Sequence, residues 1–71
     1  MMRHLPQRPS WDCRVCGRPW PCPPAREYLT DRMGQTYRLQ YLAGFYADAA
    51  GDLPDVPLVD LWQRFLAWAR G

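Results

Sequence analysis

The sequence lacks lysine, isoleucine and asparagine, so all nine of its basic residues are arginine. Codons for the three missing residues are rich in A and T, which indicates a GC-rich bacterial genome. No apolar run approaches the ~18 residues that a membrane-spanning helix needs. Residues 1–11 also lack the apolar segment of a secretory signal. We therefore expect a cytoplasmic protein without a membrane segment, in which thiols stay reduced.

The chain also has little length, since its 71 residues leave room for only one domain, residues 1–71. A domain of this size buries only ~60% of its unfolded surface. Its core supplies no more than ~3–5 kcal/mol, so a disulfide, a metal ion or self-association is expected to add stability. The net charge of +2 is too small to indicate a partner, although residues 1–26 carry five arginines against a single acid.

Cysteine is scarce, and its three copies all lie in the stretch WDCRVCGRPWPC, residues 11–22. An odd number of cysteines fits poorly with a disulfide framework. Cys13 and Cys16 are separated by two residues and followed by Gly17, which is a spacing that lets two thiolates bind one zinc ion at ~2.3 Å. Cys22 comes just before the predicted start of a helix, where backbone amides favour a thiolate.

His4 is the single histidine of the chain and lies nine residues before Cys13. We therefore predict one zinc ion bound by His4, Cys13, Cys16 and Cys22. Asp12, a water molecule or a residue of a partner are alternatives to His4 as the fourth ligand. A metal-free redox site and an iron–sulfur cluster are alternatives to zinc. Redox Cys-x-x-C motifs normally occur in a βαβ context, and iron–sulfur clusters usually take four cysteines.

A catalytic zinc site would need a general acid or base beside the metal. The chain has no His-Glu-x-x-His motif, and only Asp12 and the more distant Glu27 offer a nearby carboxylate. The sequence therefore predicts structural zinc and a protein that is not an enzyme.

The fold class is predicted to be mainly α. Six of the eight prolines lie in residues 1–24, where they prevent a regular helix or ladder. We expect residues 1–23 to form an irregular zinc loop, with at most a short strand pairing around the cysteines. This loop would pack on a helical part, residues 24–71, that consists of a long helix over about 24–50 and a C-terminal helix over about 57–70.

The long helix is indicated by apolar residues that recur every four positions. These are Ala25, Leu29, Met33, Tyr37, Tyr41, Phe45 and Ala49. Gly34 costs about 1 kcal/mol inside a helix, so it either weakens one helix or divides it in two. The repeat keeps its phase across Gly34, and we therefore favour one continuous helix. Four tyrosines on this segment, at positions 28, 37, 41 and 46, are expected to belong to the core.

Two tryptophans, Trp11 and Trp20, flank the cysteines and allow two interpretations. They can cover the metal and pack on the helices, or they can form an exposed surface that binds a partner. Arg14 and Arg18 should point outward because the cysteine sulfurs point inward. Arginine and tryptophan are enriched in the energetic centres of protein interfaces. The alternative is that both arginines only offset the negative charge of a site with three thiolates.

The stretch HLPQRPSWDCRVCGRPWPCPPAREYL and the ending LWQRFLAWAR resemble a group of small uncharacterised actinobacterial proteins rich in cysteine and tryptophan. The shared pattern is H-x-P-x-R-P-x-W-x-C, then P-W-P-C, then a closing helix rich in tryptophan and phenylalanine. It falls here on His4, Pro6, Arg8, Pro9, Trp11, Cys13, Trp20, Pro21, Cys22, Phe65, Leu66, Trp68 and Arg70. Members of the group often carry the name flavin reductase, although this chain has no glycine-rich phosphate loop.

The function that we favour is a non-enzymatic zinc-binding module, an accessory or regulatory factor whose partner is another protein. One alternative is a nucleic-acid-binding regulator that uses the arginine-rich zinc loop, although no helix shows base-reading residues on a basic face. A second alternative is a small redox or flavin-associated protein. A homodimer is compatible with the sequence, since two helices are few to cover ten aromatic residues.

Overall fold

The computed structural model describes residues 3–70, in which two short strands precede three helical regions. The strands are β1 (Pro6–Gln7) and β2 (Asp12–Cys13), which pair antiparallel with Pro6 opposite Cys13. The helices are α1 (Pro23–Arg32), α2 (Gln35–Asp52) and a C-terminal helix that runs as α-helix over Leu58–Trp62, as π-helix over Gln63–Ala67 and as α-helix over Trp68–Arg70. The mainly helical class and the packing of an N-terminal loop on helices are confirmed.

The predicted continuous helix over about 24–50 is wrong in one respect, because it is interrupted between Arg32 and Gln35. Met33 and Gly34 both have extended backbones, with φ and ψ of −130° and 136° for Met33 and −66° and 163° for Gly34. Two extended residues between α1 and α2 change which residues of α2 face the core, so the four-residue repeat of α1 does not continue on the same face of α2. Tyr37, expected in the core, is consequently 62% exposed.

Arg38 occupies the buried position that the reset creates, and its side chain joins the ends of two helices. Its Nη1 donates to the carbonyl of Met33 at 2.9 Å, and its Nη2 donates to the carbonyl of Ala69 at 2.9 Å. Carbonyls at the end of a helix lack partners within that helix. A buried cation needs such acceptors. The two helix-end carbonyls supply them to Nη1 and Nη2, whereas the buried Nε of Arg38 has no hydrogen-bond partner in the described part of the chain.

The core lies between the N-terminal loop and the helices, and the loop supplies its largest side chains. Trp11, Trp20, Phe65, Leu42 and Leu61 are all fully buried. The rings of Trp11 and Phe65 meet edge to face at 5.6 Å, and those of Trp20 and Phe45 meet in the same way at 5.1 Å. This is the geometry that aromatic pairs prefer. The loop is therefore part of the core rather than an appendage on it.

Arg64 on the C-terminal helix holds the loop by hydrogen bonds to its backbone. Its Nε donates to the carbonyl of Trp20 at 2.7 Å, and its Nη2 donates to the carbonyl of Trp11. Burial lowers the pKa of the Arg64 guanidinium, while the negative charge of Asp12 partly opposes this shift. The two carbonyls thus receive a charged donor from a residue far along the chain.

Asp52, at the end of α2, holds the loop from the other side. Its carboxylate accepts from the indole Nε1 of Trp11 at 2.9 Å and forms an ion pair with Arg8 at 2.7 Å. The hydrogen bond from Arg8 lowers the pKa of the Asp52 carboxyl, and the bond from Trp11 adds to that effect.

Within residues 3–70, no helix combines the length and the apolar character needed to cross a membrane.

Candidate metal centre

His4 is brought to the cysteines by the pairing of the two strands. Pro6 lies opposite Cys13, and the amide of Arg14 donates to the carbonyl of Leu5 at 2.9 Å, which extends the pairing toward the N-terminus. The indole Nε1 of Trp20 donates to the carbonyl of His4 at 2.8 Å. The backbone of His4 is therefore fixed by groups on both sides, although the residue lies close to the start of the chain.

Cys13 and Cys16 lie on a tight turn that orients the thiols. The amide of Gly17 donates to the carbonyl of Cys13 at 3.0 Å, and the amide of Cys13 donates to the carbonyl of Arg18 at 2.7 Å. Gly17 has a φ of 73°, a left-handed conformation that glycine adopts at little cost. The amide of Val15 lies 3.4 Å from the Cys13 sulfur. The sequence Cys-x-x-Cys-Gly thus forms a knuckle whose amides point to sulfur.

Cys22 is the N-cap residue of α1, in an extended conformation with φ of −74° and ψ of 165°. Its carbonyl accepts from the amide of Arg26 at 2.9 Å, which is the first hydrogen bond of the helix. Pro23 and Pro24 follow at positions where proline suits a helix start. The Cys22 thiol therefore has a fixed place at the positive end of α1.

The four predicted ligands form one cluster. The His4 nitrogen and the sulfurs of Cys13, Cys16 and Cys22 all lie within 4.8 Å of one another. His4 Nδ1 is 3.2 Å from the Cys13 sulfur and 3.4 Å from the Cys22 sulfur. A tetrahedral zinc site with bonds of ~2.3 Å has ligand-to-ligand distances of about 3.8 Å. The cluster therefore has the dimensions of a site for a single metal ion, and Asp12 is not part of it.

Burial and hydrogen bonds give the two inner cysteines different pKa values. Burial opposes ionisation of Cys13, but the amides of Cys16 and Val15 and the neighbouring thiols outweigh it and lower the pKa to about 6. Burial raises the pKa of Cys22 to about 11 and outweighs the opposing hydrogen bond from the backbone amide of Ala25, while the thiols of Cys13 and Cys16 act in the same direction as burial. The start of α1 therefore does not give the thiolate that the sequence predicted for Cys22. One thiol is thus ready to bind a cation, while the other must lose a proton to do so.

The three cysteines are free thiols and differ in accessibility, since Cys13 and Cys22 are buried while Cys16 is exposed. His4 is half-buried. Cys16 is therefore the most solvent-accessible of the four candidate ligands. The structure shows a site with the geometry for one metal ion, and zinc remains the prediction for its identity.

The interpretation of Trp11 and Trp20 as an exposed partner surface is wrong, because their exposed fractions are 0% and 1%. Both rings pack on the helices, which is the alternative that the sequence left open. Trp11 has a φ of 64°, uncommon for a bulky residue. Arg14 and Arg18 are exposed, as predicted. The tyrosines on the helices are more exposed than expected, with Tyr28 at 42%.

The residues that the sequence did not reveal are the polar ones that join the loop to the helices, Arg64 and Asp52. Each contacts the loop across more than 40 positions of the chain, at separations of 44 for Arg64 with Trp20 and 41 for Asp52 with Trp11. Neither lies in a motif. Only their positions on faces turned toward the loop distinguish them, and those faces depend on the tertiary fold.

Comparisons of the chain with protein-family models, with curated proteins and with solved structures gave no match. The resemblance to small actinobacterial proteins therefore stays a prediction, and the function must be argued from the cluster itself.

Proposed function

We propose that His4, Cys13, Cys16 and Cys22 bind one structural zinc ion, and that the protein is a non-enzymatic interaction module. The observation that carries this proposal is the convergence of three thiols and one imidazole within 4.8 Å. Zinc takes sulfur and nitrogen ligands in a tetrahedron. Soft thiolates also select zinc over magnesium or calcium.

A structural role is favoured because the donor set is complete. Catalytic zinc sites keep an open position for water or substrate, whereas structural sites use four protein ligands. Here four side chains converge, and the single histidine of the chain is one of them. The metal would link the N-terminal strand, the knuckle and the start of α1. A domain with so small a core needs such a link.

The partner surface that we propose is the knuckle tip, which we define as Arg14, Val15 and Arg18. All three are exposed, and Val15 retains 39% of its surface. Among residues 3–70, the side chains of Arg14 and Arg18 form neither an ion pair nor a hydrogen bond. Arg14 and Arg18 are complementary in charge to an acidic patch on another protein, and the exposed Val15 side chain offers an apolar contact. Complementary charge gives an interface its orientation and specificity.

A nucleic-acid partner has less support, because two of the five arginines in residues 1–26 make contacts with a carboxylate or a carbonyl within the protein itself. Arg8 pairs with Asp52, and Arg26 donates to the carbonyl of Pro21 at 2.9 Å and lies over the ring of Trp68. Phosphate binding depends on the number of free cations. Only Arg3, Arg14 and Arg18 of this segment remain for binding phosphate, so we favour a protein partner.

The zinc proposal is tested by native mass spectrometry of the full chain together with elemental analysis. We expect one zinc per chain in the wild type and a large loss of zinc in His4→Ala. The matched variant His4→Cys keeps four side chains that bind zinc and should retain the metal. Less than half an equivalent of zinc in fresh wild-type protein, or equal zinc in His4→Ala and wild type, would refute the proposal.

The partner surface is tested with the double variant Arg14→Ala/Arg18→Ala and the control Arg70→Ala, which removes an exposed charge elsewhere. We expect zinc content and melting temperature to stay close to wild type in both, while capture of a partner from the native host is lost in the double variant alone. If the double variant instead loses zinc or stability, the arginines offset the charge of the metal site and the proposed surface is wrong. DNA binding that falls steeply with salt would favour the nucleic-acid alternative.

A further inference from the structure

A cavity of about 380 Å³ lies beside the metal centre, between the N-terminal segment, α1 and α2. Most of its wall is apolar, with Leu5, Leu29 and Met33 among the lining residues. Its volume is near the lower end of the ~300–1,000 Å³ typical of small-molecule sites. The cavity therefore suits a small ligand with an apolar body.

Two guanidinium groups, those of Arg3 and Arg32, complete the wall. Both residues are exposed, so they lie where the cavity meets solvent. Each guanidinium lies over the ring of Tyr28, at 5.6 Å from its centre for Arg3 and 5.1 Å for Arg32. Arg3 also donates to the Tyr28 hydroxyl at 3.1 Å. Both guanidinium groups are thus associated with one phenol ring, that of Tyr28.

Neither cation is neutralised by an acid in the described part of the chain. Within residues 3–70 the only ion pair is that of Arg8 with Asp52, so Arg3 and Arg32 have no carboxylate partner. Guanidinium groups bind carboxylates through paired hydrogen bonds. Two unpaired guanidiniums above an apolar cavity are therefore complementary to a molecule with a carboxylate at one end and an apolar body at the other.

We propose that this cavity binds a small monocarboxylic acid with an aromatic or short aliphatic body. The body lies against Leu29 and Met33, and the carboxylate is held at the opening by Arg3 and Arg32. The proposal goes beyond the zinc-binding function and does not depend on which partner the knuckle tip contacts. His4 both lines the cavity and belongs to the metal centre. Occupancy should consequently perturb the metal site.

The test is a titration of the full, metal-loaded chain, followed by calorimetry and by the NMR signal of the Met33 methyl group. Phenylacetate and hexanoate are the probes, and their neutral amides, phenylacetamide and hexanamide, are matched controls of the same shape. Metal content and helical circular dichroism are measured first in every sample, so that a failure of the metal centre is seen separately. We expect each acid to bind about fivefold more tightly than its amide.

Variants locate the carboxylate. Arg3→Gln and Arg32→Gln should each lower the affinity for the acids about fivefold and leave the affinity for the amides unchanged. Arg70→Gln is the matched control, because Arg70 also lies over an aromatic ring, that of Trp62 at 5.6 Å, but does not line the cavity. It should leave both affinities unchanged.

Five results would overturn the proposal, and four of them concern the acids and their amides. These are the absence of saturable binding by either acid, equal affinity for acid and amide, unchanged acid affinity in Arg3→Gln and Arg32→Gln, and a ligand-induced shift that spares Met33. Inorganic phosphate that competes as well as the acids would also overturn it. The site would then recognise negative charge alone and would not need the apolar part of the ligand.

Discussion

Replacement of Phe65 by alanine tests whether the aromatic core sets the affinity of the metal centre. Phe65 is fully buried, and its ring meets that of Trp11 at 5.6 Å and that of Trp20 at 6.1 Å. Truncation of a buried phenylalanine costs ~3–5 kcal/mol, which is as much as the whole core of so small a domain supplies. If the metal-free chain is largely unfolded, this loss appears in full as weaker zinc binding.

We therefore expect Phe65→Ala to bind zinc roughly 10²- to 10⁴-fold more weakly than the wild type, although Phe65 is not a ligand. The measurement is competition for zinc with a chelator of known affinity. Phe65→Leu keeps part of the apolar volume and should lie between the two. Tyr37→Ala removes an aromatic ring that is 62% exposed and should change the affinity by no more than about twofold. Wild-type zinc affinity in Phe65→Ala would refute the coupling of core and metal.

Three further predictions concern the metal and the contacts of the loop. Removal of zinc by a strong chelator should unfold the loop and loosen the helices, because structural zinc contributes ~10–16 kcal/mol; an unchanged helical circular dichroism signal would contradict this. Zinc binding at pH 7 should release at least one proton, because the pKa of Cys22 is about 11 in the fold and that of an ordinary thiol is ~8.5. Below these pKa values, affinity should rise about tenfold per pH unit for each proton released, and calorimetry in buffers of different ionisation enthalpy counts the protons. Arg64→Met should cost about 2 kcal/mol relative to Arg70→Met, because it removes the bonds to two loop carbonyls; equal melting temperatures would show that these bonds do not matter.

The metal cluster could be predicted because its signal is local and chemically narrow. Cys13, Cys16 and Cys22 fall within ten residues, and His4 is the single histidine that can join them. Few chemistries use three thiols at this spacing, so the residue types alone limit the options. The helical class was equally accessible, since apolar periodicity depends only on the backbone geometry of each segment.

The break between α1 and α2 could not be predicted in the same way. The apolar repeat keeps its phase across Gly34, so the sequence pattern does not distinguish a weak point from a break. The break is stabilised by Arg38, whose guanidinium bonds the carbonyl of Met33 at the end of α1 and that of Ala69 near the end of the chain. Arg38 and Ala69 are 31 positions apart, so their contact cannot be detected in an apolar repeat of three or four residues. The roles of Arg64 and Asp52 could not be predicted for the same reason, because their contacts with the loop span 44 and 41 positions.

The order of the chain separates the metal ligands from the residues that cover them. All four ligands precede residue 23, whereas Phe65, which covers both Trp11 and Trp20, follows Cys22 by 43 residues. At ~5–20 residues per second, a ribosome needs about 2–9 s to add that stretch. During this interval the nascent chain carries a complete ligand set and two tryptophan rings without their cover. If the proposed zinc site is correct, a newly made chain has its full ligand set before Phe65 packs on Trp11 and Trp20, and it would bind zinc more weakly at that stage than after its core has formed.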